Sequence, residues 1–209
     1  LNSDASHIVA PQSLYPFLLA ARASSHPLLV VTRSSRSAED LVNELRELHD
    51  NVLEFPAWET LPHEKLSPNS DTVARRIHTL INSQSARVIV TTARALVQPI
   101  VTSAIAMPLL TIEKGRTFEF EKLLNELTLR AYSRVDLVER RGDFAVRGGI
   151  VDLFLPLSHH PIRIDFFGDE IEDLSYFEVS DQRTFQPVVG SVQIYPCREL
   201  LLSNETKHR

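Results

Sequence analysis

The sequence predicts a parallel α/β domain over residues 1–107, then an α+β domain with an antiparallel sheet over residues 108–196. Residues 197–209 begin a return towards the first domain. Three observations carry this division. Before Pro108, short continuous apolar runs alternate with stretches of helical period, the pattern of buried parallel strands joined by crossover helices. After one further helix, six short strand-like runs follow, separated by Gly and Pro breaks. The 209 residues are 43% hydrophobic, enough apolar material to fill two cores.

Residues 12–25 read as a short helix with Pro16 in its first turn, where a missing N–H costs nothing. Leu28-Leu29-Val30-Val31-Thr32 is a buried strand of a sheet covered on both faces. Ser37 opens the next helix through a capping box with Asp40, and Ala38, Leu41, Val42, Leu45 and Leu48 repeat at helical spacing. Residues 52–55 form a second strand, and the Pro-punctuated segment 56–68 an ordered loop in which the Trp58 ring packs against the first domain. A helix over 71–83 turns Val73, Ile77, Leu80 and Ile81 inward and leaves Arg75 and Arg76 in solvent. A third strand (87–92) and a helix near 93–97 complete the domain. In the second domain, 109–113 is a strand, Gly115 a turn, and 119–131 an amphipathic helix with Phe120, Leu123, Leu124 and Leu127 inward. Strands follow over 135–138, 144–146, 150–154, 162–167, 171–177 and 189–195.

Composition removes several classes of function. Net charge is −5, and residues 109–196 hold 10 Lys and Arg against 15 Asp and Glu, so binding to a phosphate backbone by the whole surface is disfavoured. The single Cys197 allows no internal disulfide and no cysteine zinc site, and it suits a reducing compartment. No apolar run approaches the roughly 18 residues that cross a bilayer. With no signal-peptide pattern at Leu1, the chain reads as a cytoplasmic fragment of something longer. A phosphate-cradling GxxxxGK[ST] string is missing: Val9-Ala10-Pro11-Gln12-Ser13-Leu14 occupies its expected place, and no glycine precedes Gly115. The fragment is therefore not expected to hydrolyse ATP, to hold a cofactor or metal, or to contain catalytic residues. Asp169-Glu170-Ile171-Glu172 resembles a magnesium-holding helicase motif only superficially and reads as a turn and a strand. His159-His160 lies in a loop without further ligands at metal spacing.

The informative stretch is 142–177. Within Ile162-Arg163-Ile164-Asp165-Phe166-Phe167, alternation puts Ile162, Ile164 and Phe166 on a core face and Arg163, Asp165 and Phe167 on the other. A guanidinium, a carboxylate and a ring together suit a protein-binding face. The residues equally allow a cross-strand ion pair of Arg163 with Asp165 or a neighbour, and a ring covering a sheet edge. Arg147, beside Gly148-Gly149, extends from a strand end near the same hairpin. Asp152 and Asp165 read as structural or secondary contacts.

Two stretches carry a resemblance. Phe55-Pro-Ala-Trp-Glu-Thr-Leu-Pro62, continuing to Ser67-Pro68 and Arg76, is similar to the start of the bacterial transcription-repair coupling factors (the Mfd family). Arg147-Gly148-Gly149-Ile150-Val151-Asp152-Leu153-Phe154 and Arg163-Ile164-Asp165-Phe166-Phe167-Gly168-Asp169-Glu170-Ile171 resemble the second domain that this family shares with UvrB. Ser180-Asp181-Gln182-Arg183-Thr184 also fits, and the similarity spans about 28–196. It implies an N-terminal UvrB-homology region: a degenerate helicase-like (RecA-like) domain whose phosphate loop is lost, with an inserted UvrB-like α+β domain. It further implies binding of UvrA, the damage-recognition ATPase of nucleotide excision repair, through Arg147, Arg163 and Phe167, with Asp165 beside them. The ATP- and magnesium-dependent DNA translocase and the RNA polymerase contact are expected in other parts of the full-length protein. The resemblance also implies that contact with the C-terminal region of the full-length protein masks the binding face until stalled polymerase is engaged. The rival expectation is a UvrB-like ATP-dependent DNA-binding or helicase fragment.

Overall fold

The computed structural model describes residues 7–60, 64 and 66–200. Leu61, Pro62 and much of the 197–209 return segment lie outside the described residues. In chain order the first elements are α1 (Tyr15–Ala23), β1 (Leu28–Thr32), α2 (Ser35–Arg46), β2 (Val52–Phe55), α3 (Ser70–Ile81), β3 (Val88–Thr92), α4 (Ala93–Leu96) and α5 (Thr102–Ala106). There follow β4 (Leu110–Glu113), α6 (Phe120–Leu129), β5 (Ser133–Arg134), β6 (Asp143–Arg147), β7 (Ile150–Leu153) and β8 (Ile162–Phe167). The last strands are β9 (Glu170–Phe177), β10 (Thr184–Pro187) and β11 (Ser191–Ile194).

The chain divides into two compact units, Leu1–Ala57 with Ile81–Gln98, and Trp58–Leu80 with Pro99–Arg209. Residues 58–80 thus group with the later part of the chain, which differs from a division near Met107. Local period reports which residues are helical; it carries no information on which partners a helix finds.

In the first unit, β1, β3 and β2 lie parallel in that order. Paired residues of parallel strands share a face, so Leu28, Val88 and Val52 line one side with Val30 and Val90. Ala23 of α1 and Ala38, Val42 and Leu45 of α2 complete that core. The opposite side of β1 exposes Leu29 and Val31, so the sheet is not covered on both faces there. β1 is an edge strand, and an apolar run does not distinguish one covered face from two. The α2 cap also differs from expectation. Ser34, in extended conformation, accepts a hydrogen bond from the Ser37 N–H at 3.2 Å, so Ser37 lies inside the first turn. Leu48, past the end of α2, is exposed.

In the second unit, among the described residues, six strands form one sheet in the order β10-β9-β8-β7-β6-β5, and β11 pairs with β4. Every pair of the larger sheet is antiparallel except β5–β6, a two-residue parallel edge pair. Phe144, Val151, Leu153, Ile162, Ile164, Ile171 and Leu174 pack one face of this sheet against Leu123 and Leu127 of α6. Each fully buried side chain of this kind contributes about 1.5–3 kcal/mol of transfer free energy. The register shifts between Asp165 and Phe166, which pair with Asp173 and Ile171. The extra residue, Glu172, lets Ile171 and Leu174 both face the core although they are three apart. Segment 135–138 is not a strand. Val138 instead fills a second buried cluster with Ala145, Phe154 and Phe177 on the opposite face of the sheet. The pattern missed β5, β10 and α5, all short.

Arg76 does not lie in solvent. It is 0% exposed, its Nε donates to Glu199 Oε1 at 2.6 Å, and its Nη2 donates to the Pro99 carbonyl at 3.1 Å. Arg76 follows Val73 by three residues and so falls within the apolar stripe itself. A carboxylate 123 residues later makes that position habitable for a charge. Trp58 falls in the same unit: its Nε1–H donates to Glu199 Oε1 at 2.8 Å, and the Arg76 guanidinium lies 4.9 Å from its ring centroid.

Candidate protein-interaction site

Two tight hairpins build the site. Gly148 and Gly149 join β6 to β7, Gly148 at φ +61. A Cβ on Gly149 would stand 2.9 Å from the Phe166 carbonyl oxygen, so only glycine lets this turn close against β8. Gly168, at φ +62, and Asp169 join β8 to β9. The Asp169 carboxylate accepts a hydrogen bond from the Phe120 N–H at 3.1 Å and so serves the N-terminus of α6. That gives the acidic pair a structural task.

Register fixes which side chains share the outer face. Ala145, Asp152, Arg163 and Ser175 form one cross-strand row, and Arg147, Ile150, Asp165 and Asp173 the next. Phe167 follows Asp165 by two residues on the same face, roughly 7 Å further along the strand.

Asp152 organises these rows. Its carboxylate is 1% exposed, and burying such a charge costs several kcal/mol unless it is paired. Arg163 pairs with it twice, Nε to Oδ1 at 2.6 Å and Nη2 to Oδ2 at 2.9 Å. Arg147 Nη2 adds a third bond, to Oδ2 at 2.8 Å. The carboxylate bond is the main reason why the Arg163 pKa rises above the ordinary arginine range. Nη1 of Arg163 donates to the Gln182 carbonyl at 3.2 Å, and its guanidinium lies 5.0 Å from the centroid of the buried Phe177 ring. Arg163 is consequently 19% exposed, whereas Arg147 is 51% exposed.

The two arginines are thus brought together, but on Asp152 and not on Asp165. Burial pushes the Asp165 carboxyl above its ordinary pKa; Arg163 opposes this, and Asp173, Asp152 and Glu172 reinforce it. Asp173 is held below the usual carboxylate range by hydrogen bonds from Lys114, at 2.6 Å, and from Ser175. Phe167 is 77% exposed, an unusual position for a phenylalanine beside a packed core.

Sequence reasoning did not foresee the part of Gln182. It adopts φ +61, its side chain donates to the carbonyls of Val138 and Val179, and its own carbonyl receives Arg163. Only its place in the Ser180–Thr184 motif hinted at this. Asp152 was legible as a structural contact, but its partners were not, because the long 154–161 connection leaves the β7–β8 register undetermined by sequence.

The family model described as the UvrB interaction domain matches residues 110–200. The transcription-repair-coupling factor of Mycobacterium tuberculosis is 42% identical over 99% of this chain. Those of Haemophilus influenzae and Escherichia coli are 35% and 31% identical over 82% and 87% of it. The chain spans only 18%, 15% and 16% of the length of these three relatives. It belongs with the bacterial transcription-repair-coupling factors, as a segment that carries a UvrB interaction domain.

Proposed function

We propose that this segment is a non-catalytic recruitment module that binds UvrA, and so brings damage recognition for nucleotide excision repair to stalled RNA polymerase. One observation supports this most: a 77% exposed phenylalanine shares a sheet face with an arginine pair anchored on a buried carboxylate. Aromatic rings and arginines are the residues that most often anchor protein interfaces. The acidic surroundings suit a defined protein partner better than a DNA backbone, which needs many clustered cations.

In this reading the segment needs no cofactor, and its first unit is a helicase-like domain that has lost its phosphate loop. ATP, magnesium, DNA and RNA polymerase are served by other parts of the full-length protein, a DNA translocase. Contact with its C-terminal region covers the Arg147–Phe167 face until polymerase is engaged. The test is retention of purified UvrA by the immobilised chain. Wild type retains UvrA, and Arg163→Ala and Phe167→Ala each lose most of it; undiminished retention by both variants contradicts the proposal.

A further inference from the structure

We propose that the residues of this face divide the work: Arg147 and Phe167 touch the partner, while Asp152 and Arg163 act as positioning residues for Arg147. The inference rests on the reading that this face binds UvrA, and it goes further by naming the group that Arg147 grips.

The hydrogen bonds set the roles. Arg163 commits three of its nitrogens: Nε and Nη2 to Asp152, and Nη1 to the Gln182 carbonyl. Its guanidinium also lies against the Phe177 ring, and little of it reaches solvent. Such a group has little left to offer a partner. What it does offer is a fixed carboxylate: the two-point contact sets the plane of Asp152, and Oδ2 then holds one end of Arg147. Arg147 commits only Nη2. Its Nε and Nη1 have no hydrogen-bond partner among the described residues, and half of the side chain is exposed. Nη2 carries a second N–H, and with Nε or Nη1 beside it that hydrogen completes one open two-point edge of the guanidinium, whose plane is fixed in advance by Asp152.

Charge gives the class of acceptor. Arg147, Arg163 and Asp152 together leave a single positive charge, and the exposed end of that cluster is Arg147. Asp165 and Asp173, in the same row, exclude a densely charged polyanion. One carboxylate side chain of UvrA, received by the Arg147 fork next to an apolar pocket for Phe167, satisfies both conditions. Holding the fork in advance spares ordering entropy on binding, so loss of Asp152 weakens the complex only through Arg147.

Calorimetric titration of UvrA into the chain separates these roles. Arg147→Lys keeps the charge and the ion pair but loses the fork, and it weakens binding about 10-fold. Asp152→Asn weakens binding about 10-fold in the wild-type background, but less than about 2-fold when Arg147 is already alanine. Combined with Phe167→Ala, the same change remains additive. Arg147→Ala also flattens the salt dependence of binding, and adding Asp152→Asn flattens it no further. A merely structural Asp152 gives equal losses in all three backgrounds, and that result overturns the proposal. Thermal unfolding shows whether Asp152→Asn folds; if it does not, Arg147→Lys on the exposed strand end decides, and binding equal to wild type overturns the proposal. No binding by wild type refutes the reading of the face itself, a different outcome from binding without coupling.

Discussion

Asp165 shows how a single residue can be conspicuous in a sequence and still differ in role from its neighbours. It stands two residues from Arg163 on the same strand face, yet Arg163 and Arg147 both turn to Asp152, and burial leaves its carboxyl with a raised pKa. A raised folded-state pKa means that folding favours the protonated form. The corresponding stability is present below the ordinary carboxylate pKa, about 3.9, and is lost as pH rises through the raised value. Asp165→Asn is therefore expected to raise the melting temperature at pH 7, with the gain shrinking towards pH 4. A lower melting temperature at pH 7 contradicts this account of the site. Cys197 is set by the same physics: burial pushes its thiol up to about 12, and it stays protonated at neutral pH. Alternation alone placed Arg163, Asp165 and Phe167 on one face, because the strand period is fixed by backbone geometry. The carboxylate that the arginines share was not legible, because it depends on a register set by a distant turn.

At the scale of elements, long periodic segments and apolar runs were legible, and their ends were not. The start of α2 offers three serines, Ser34, Ser35 and Ser37, and any of them could cap; backbone conformation selects Ser34. Ser34→Ala is expected to cost about 1 kcal/mol in urea unfolding, with a smaller loss for Ser37→Ala. The reverse order contradicts the assignment. In α3 the helical stripe was read correctly for Val73 and Ile77, but Arg76 was assigned by its charge and not by its position. Its partner Glu199 is invisible to any local pattern. Glu199→Gln leaves the buried guanidinium without that carboxylate and is expected to cost about 3 kcal/mol. A change below about 0.5 kcal/mol shows that the pair is replaceable by its neighbours. The strand expected over 135–138 failed for a related reason: Val138 is apolar because it fills the second buried cluster, and not because it pairs in a ladder.

For the molecule as a whole, the change from parallel to antiparallel patterning near residue 108 foreshadowed two kinds of sheet. The grouping of residues 58–80 with the later chain was hidden, since it depends on tertiary partners such as Glu199. The segment covers less than a fifth of the length of its relatives, and the recruitment role proposed for it rests on one face of the antiparallel sheet. That claim is tested most directly by the affinity of UvrA for wild type, Phe167→Ala and Phe185→Ala, measured by calorimetry. Phe185 is also half exposed, but it lies on β10, at the edge of the sheet, against His160 and Tyr176. The account predicts that Phe167→Ala costs about 2 kcal/mol, roughly 30-fold in affinity, and that Phe185→Ala leaves binding unchanged. Equal affinity of UvrA for wild type and Phe167→Ala contradicts it.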